Sequence, residues 1–294
     1  MSATLHTPET LRARSERIAA GLPGLLMAAE RLAATILLGE HGRKRAGPGE
    51  TFWQYRAAQP GDARRSIDWR QSARSDGHFV RETEWQAAQT LMLWVDDAAS
   101  MRFAAGERPS KLRRAQTLAL ALAVLAVRAG ERTGLAALAE PARGGRAQLI
   151  RMADALMEGG DVPDYGAPRP RVMPMGSRAV FLSDFLGPPE PVVEALTAAA
   201  DRGVAGVLVQ VLDPDEEAFP YDGRTVFESM SGAVRFETLK AGRLRDEYLD
   251  RLATRRAALR DLCARTGWRF HLHHTDGAAS AALLSLYTAL ERRR

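Results

Sequence analysis

Leu91-Met-Leu-Trp-Val95, followed by Asp96-Asp-Ala98-Ala-Ser100-Met101, is the stretch on which the fold turns. Five apolar residues with no polar alternation predict a strand buried on both faces. Strands of that kind belong to parallel sheets covered by helices. The turn that follows lies at a carboxyl end, where ligands of open α/β sheets gather. Asp96 and Ser100 are therefore the first candidate site residues.

Downstream the pattern alternates. Ser110 can cap a helix running to about residue 129, with Leu112, Ala115, Leu118, Leu122 and Leu125 on one face. A strand is expected over 133–138 and a short helix over 148–158, ended by Gly159-Gly160. Residues 161–177, rich in Pro and Gly, read as an irregular crossing loop. A third strand, 178–183, ends at Asp184; a helix over 189–202 leads to a long apolar strand over 204–212. Segments 224–228 and 233–237, joined by Ser231-Gly232, read as an exposed hairpin. A charged helix over 243–265, a strand over 268–274 and a helix over 279–293 complete the pattern. The expected class is α/β, a mostly parallel sheet flanked by helices. Asp96, Ser100 and Asp184 then share the strand ends, where two aspartates and a serine offer part of the oxygen shell of Mg²⁺.

Upstream the chain is built differently. Thr51 to Arg56 and His78 to Thr83 look like short strands flanking a turn at Pro60-Gly61-Asp62. Between them Arg56, Asp62, Arg64, Asp68, Trp69, Ala73 and Arg74 form a dense block. Bases alternate with acids, which favours an ion-pair network over an anion-binding surface, with Trp69 packing over Asp68. Before it, Leu22, Leu25, Leu26, Ala29, Leu32, Ala33, Ile36 and Leu37 recur at helical spacing, and docking of that face on its own domain is expected. The glycine-rich loop from His41 to Gly49, with Arg43-Lys-Arg45, lacks the order of a phosphate-cradling loop. Three segments result: a helical one (1–40), the motif block with short strands (41–88) and the α/β domain (89–294).

The 294 residues carry 41 basic and 36 acidic side chains, a net charge of +5, which permits anionic partners without requiring them. The lone cysteine, Cys263, excludes an internal disulfide and a cysteine-cluster metal site, and its helical setting makes it a core residue. His271, His273 and His274 read as ordinary strand histidines, although His271 and His273 share a face. No nucleophile elbow is present. The stretch from Gly21 to Leu38 is interrupted by Pro23, Glu30 and Arg31, so an amphipathic helix is expected there rather than a membrane span. With no export signal read at the N-terminus, the cytoplasm is the expected compartment.

The series Arg56-x-x-x-Pro60-Gly61-Asp62-x-Arg64-x-x-x-Asp68-Trp69-x-x-x-Ala73-Arg74 resembles the DUF58 family. The likeness continues through Glu82, Glu84, Val95-Asp96, Ser100-Met101, Gly134-Leu135, Leu182-Ser-Asp-Phe185 and Asp213-Pro-Asp-Glu-Glu217. The resemblance implies a von Willebrand factor A-like (Rossmann-like) fold with an N-terminal helix and a small β-containing addition. It also implies a non-enzymatic adaptor that works with a MoxR-type AAA+ ATPase and other A-domain proteins in assembling or activating a client. The metal-ion-dependent adhesion site of A domains uses Asp-x-Ser-x-Ser, a threonine on a second loop and an aspartate on a third. Here Ala98 replaces the first serine and the loop around Arg143-Gly-Gly-Arg146 has no threonine. A degenerate site at Asp96, Ser100 and Asp184 is expected, without a cofactor; Mg²⁺ is the ion it would take. Two rival readings are a metal-dependent hydrolase using Asp96 and Asp184, and a binder of anionic surfaces through the basic N-terminal region. Nucleic acid is not an expected partner, and membrane association would run through partners or the N-terminal helix.

Overall fold

A computed structural model describes residues 24–36, 52–59, 67–74, 78–83, 89–138, 140–158, 163–169, 173–230, 232 and 235–291. They fall into two compact units, one of residues 1–39 with 89–294 and one of residues 40–88.

The larger unit is a five-stranded sheet between two layers of helices. Its strands are β3 (Thr90–Val95), β4 (Arg132–Leu135), β5 (Arg178–Ser183), β6 (Ala205–Leu212) and β9 (Arg269–His274), in the order β4-β3-β5-β6-β9. All neighbours run parallel. The apolar run at Leu91 is β3, buried from Leu91 to Val95 because both its faces are covered. Alternate residues feed two cores. Leu91, Leu93 and Val95 face one, with Val180, Leu182, Val207 and Val209. Met92 and Trp94 face the other, with Ala179, Phe181 and Leu208.

Helix α3 (Lys111–Arg128) fills the first core and is buried almost all round, as its run of Leu and Ala demands. Around it pack α4 (Arg146–Met157), α8 (Ala279–Glu291) and α1, residues 24–36. The apolar face of α1, from Leu25 through Ala29 and Ala33 to Ile36, is part of this core. The second core is closed by α5 (Glu190–Asp201) and α7 (Arg245–Thr266), where Cys263 is buried. At β6 the backbone of Gly206 accommodates the ring of Trp268; a Cβ there would lie 2.9 Å from the indole and nearer still to the Ala179 carbonyl.

Strand β4 stops at Leu135, three residues short of the expected 138, because Ala136 turns away after its N–H donates to the Leu93 carbonyl. The short helix α6 (Pro214–Ala218), not expected as an element, starts at a capping box formed by Asp213 and Glu216. The hairpin of β7 (Thr225–Glu228) and β8 (Arg235–Thr238) is present, while residues 231, 233 and 234 of the expected connection and second strand lie outside the described residues.

In the smaller unit β1 (Phe52–Ala57) pairs antiparallel with β2 (Phe79–Thr83). Between them lies one helical turn, α2 (Trp69–Ser72). Asp68 starts it: Oδ1 accepts from Arg70 N at 3.1 Å, and the Asp68 carbonyl accepts from Ser72 N at 3.0 Å. Ser72 Oγ in turn accepts from Phe79 N at 2.9 Å, tying the turn to β2. Trp69 is 57 % exposed and meets His78 edge-on at 5.5 Å.

Candidate functional site: the carboxyl end of the sheet

Strand order reverses at β3, whose chain neighbours β4 and β5 lie on opposite sides of it. The crevice at such a switch point is where open α/β sheets place ligands. Asp96 and Asp184 end the two strands that flank it.

Asp96 is 1 % exposed and both its oxygens are engaged. Oδ2 accepts from Ser183 Oγ at 2.6 Å, and Oδ1 from Ala98 N at 2.9 Å. Burial raises its pKa to about 6; the two donors pull it down, and the charges of Asp184 and Asp97 push it further up. Asp184 is as deeply buried, with Oδ1 accepting from Leu186 N at 3.1 Å and Oδ2 from Lys111 Nζ at 2.9 Å.

Lys111 is the residue that sequence reasoning missed. It opens α3, fully buried, and its ammonium also donates to Glu216 Oε1 at 2.5 Å. Burial alone would lower its pKa, but the Asp184 and Glu216 carboxylates beside it win and the pKa is raised. The available signal was weak: a basic first turn, Lys111 with Arg113 and Arg114, set against the helix dipole at the start of a helix that becomes apolar from Leu118.

Glu216 Oε2 accepts from Asp213 N at 2.9 Å, linking this cluster to a second one. Asp213 accepts from Thr275 Oγ1 at 3.0 Å, Arg108 NH2 at 2.8 Å and Asp215 N at 3.0 Å. Its burial favours the neutral acid, but Arg108 and the other donors prevail and hold the pKa below the usual carboxylate value. Arg108 also reaches Asp215 at 2.8 Å.

A strap, residues 163–169, closes the site from the β3 side. Ala99 N donates to the Pro163 carbonyl and Ser100 N to that of Asp164, both at 2.9 Å. Gly166 lies directly on the Asp96 carboxylate; a Cβ there would fall 2.6 Å from Asp96 Cγ and nearer still to Oδ1. Gly187 leaves room for Tyr165 in the same way, a Cβ there falling 2.7 Å from Tyr165 Cβ. Glycine at 166 answers to close approach, not to a left-handed turn.

Mg²⁺ needs about six oxygen ligands whose charge is not already neutralised. Asp96 and Asp184 have all four oxygens committed to internal donors, and Ala98 supplies only a backbone N–H. Ser100 Oγ, buried without a partner, is the one leftover oxygen of the three candidate residues. The residues present do not fit a divalent cation, and among the described residues no group of three or more His, Cys, Asp or Glu is placed to hold one.

The remaining candidates lie elsewhere. His273 meets Arg114 at 3.2 Å and is pushed down to about 4 by burial, with the Arg114 charge adding to it. His274 bonds to Glu217, which Arg256 also holds at 2.7 Å. Burial lowers the pKa of His271. In the motif block, Arg56 lies in β1, Asp68 and Trp69 open α2, and Ala73 and Arg74 follow it, exposed. Pro60, Gly61, Asp62 and Arg64 lie outside the described residues, as does the basic run Arg43-Lys-Arg45. No helix among the described residues is long and apolar enough to cross a membrane.

Two mycobacterial proteins are similar along most of their length: Uncharacterized protein Rv1480 of Mycobacterium tuberculosis and Uncharacterized protein Mb1516 of Mycobacterium bovis. Each is 30 % identical over 275 residues, covering 87 % of this chain and 84 % of the relative. Among solved structures, the conserved hypothetical protein BatB from Bacteroides thetaiotaomicron aligns over 69 % of this chain and 98 % of its own, at 16 % identity and a TM-score of 0.40. The model of the family described as "Protein of unknown function DUF58" matches residues 54–258, a span that includes the motif block, Asp96, Lys111, Asp184 and the α6 cluster, and the chain belongs to that family.

Proposed function

We propose that this chain is a non-enzymatic interaction protein, an adaptor that works with a MoxR-type AAA+ ATPase, and with other A-domain proteins, to assemble or activate a client. One observation carries the reading. The carboxylates at the strand ends are spent on partners within the chain: Asp96 on Ser183, Asp184 and Glu216 on Lys111, Asp213 on Arg108 and Thr275. A general base must reach the proton it removes, and a metal ligand must reach the metal; neither role suits groups enclosed in this way.

What faces outward is contact surface. Tyr165 on the strap is half exposed, and the β7–β8 hairpin with the residue after it presents Val226, Phe236 and Leu239. Asp96, Met101, Asp184 and Phe185 are buried and would act by holding that surface in place. The test is co-purification with a MoxR-type AAA+ ATPase from the same organism, in ATP and in ADP. Association that depends on the nucleotide is the expected result. No association in either state overturns the reading.

A further inference from the structure

We propose that Lys111 is a tethered cation: its ammonium takes the place of a divalent metal ion at the carboxyl ends of β5 and β6 and makes this face of the domain independent of metal. The inference is separate from the adaptor reading and stands or falls without it.

Three observations carry it. The ammonium sits between two carboxylates from successive connections, 2.9 Å from Asp184 Oδ2 and 2.5 Å from Glu216 Oε1, with the lysine fully buried. Burying one charge beside two opposite ones is the electrostatic problem that a bound cation solves elsewhere. Second, the position works against local preference. Lys111 follows the N-cap Ser110, whose Oγ accepts from Arg113 N at 3.2 Å, and the first turn of α3 contains no acid. A positive charge there opposes the helix dipole, so what keeps it in place is the carboxylate pair across the site. Third, the other aspartate at these strand ends is already committed. Asp96 is committed to Ser183 and Ala98, and Gly166 of the strap lies on its carboxylate. Ser100 Oγ and Gln210 Oε1, whose amide Nε2 donates to the Asp184 carbonyl at 2.9 Å, are buried without a partner, and two neutral oxygens cannot hold a divalent ion by themselves. The lysine also contributes what an ion cannot: its side chain is anchored to α3, so the charge is present in every copy at every metal concentration.

The experiment uses the full chain and three proteins: the parent, Lys111→Met, and the neutral triple variant Lys111→Met, Asp184→Asn, Glu216→Gln. Each is melted with and without Mg²⁺ or Mn²⁺ at millimolar concentration, and the parent is titrated with both ions by calorimetry. The parent is expected to show no heat of binding and no shift in Tm. Lys111→Met should lose roughly 10 °C, since it leaves two carboxylates uncompensated, and should regain a large part of that with either ion. The triple variant should melt within a few degrees of the parent and ignore both ions. If Lys111→Met does not fold at all, a folded, ion-insensitive triple variant still supports the proposal. Ion binding by the parent that Asp184→Asn abolishes overturns it. So does a Lys111→Met protein as stable as the parent, or one that neither the ions nor the neutral triple variant restores.

Discussion

Gly166→Ala tests whether the strap, and not only burial within the sheet, encloses Asp96. The added Cβ would lie 2.6 Å from Asp96 Cγ, roughly 1 Å short of ordinary contact. Two responses are open. The carboxylate can rotate away, giving up its bonds from Ser183 Oγ at 2.6 Å and Ala98 N at 2.9 Å. Hydrogen bonds to a charged group are worth about 1.5–3 kcal/mol each, so that route costs roughly 3–6 kcal/mol. Alternatively the strap can retreat, stretching the bonds from Ala99 N and Ser100 N to the Pro163 and Asp164 carbonyls. Those are neutral bonds worth about 1 kcal/mol each, about 2 kcal/mol together. The cheaper route is the strap. Gly166→Ala should therefore lose about 2 kcal/mol in denaturant unfolding, within the usual range for overpacking. Hydrogen exchange at the amides of Ala99 and Ser100 should quicken by roughly 10- to 30-fold, the change that a local opening of this size gives. In an Asp96→Ala background the clash is gone, and the same glycine substitution should cost less than about 0.5 kcal/mol. An equal cost in both backgrounds, or unchanged exchange at residues 99 and 100, would refute the reasoning.

Three further outcomes follow from the same structure. Asp96 and His273 should give stability opposite slopes with pH. Asp96, raised from 3.8 to about 6, contributes stability that is complete below pH 3.8 and lost as pH rises through 6. Asp96→Asn should therefore gain about 3 kcal/mol on the parent between pH 4 and 7. His273, depressed from 6.5 to about 4, contributes stability present above pH 6.5 and lost as pH falls through 4. His273→Gln should gain about 3 kcal/mol on the parent on acidification over that window, and denaturant curves at pH 4, 5.5 and 7 separate the two. The Cys263 thiol, pushed up to about 12 by burial, should resist alkylation at neutral pH until the domain opens. Labelling of native protein at the speed of a free thiol would contradict its placement. Asp213→Ala removes the cap of α6 and the partner of Thr275, and should lower stability by at least the ~1–2 kcal/mol of a lost N-cap, read as a shift in denaturant midpoint without a change of slope.

Much of the fold was legible in the chain itself. The uninterrupted run from Leu91 to Val95 identifies a strand covered on both faces, and that strand is the second of five. Ser110 marks the start of α3, and the helical spacing of Leu25, Ala29, Ala33 and Ile36 gives the face of α1 that joins the core. These features are local: capping needs three residues, and periodicity needs two turns. The pairing of Asp96 with Asp184 at one end of the sheet was legible too, because both aspartates follow apolar strands.

The chemistry between those aspartates was decided only by the tertiary structure. Lys111 lies 73 residues before Asp184 and 105 before Glu216, and nothing local in the sequence aims its ammonium at either. Its partners are set by the parallel order of β3, β5 and β6, which brings three connections to one edge. The strap was legible as an irregular segment rich in Pro and Gly, but not as a cover. That Gly166 lies on a carboxylate is a statement about closeness, and closeness between distant segments has no period or spacing in the chain. Read alone, Asp96, Ser100 and Asp184 suggested an incomplete metal site. The packed chain places an internal cation beside Asp184 and a glycine over Asp96, because once these charges are buried their compensation has to come from whatever side chain the topology brings within about 3 Å.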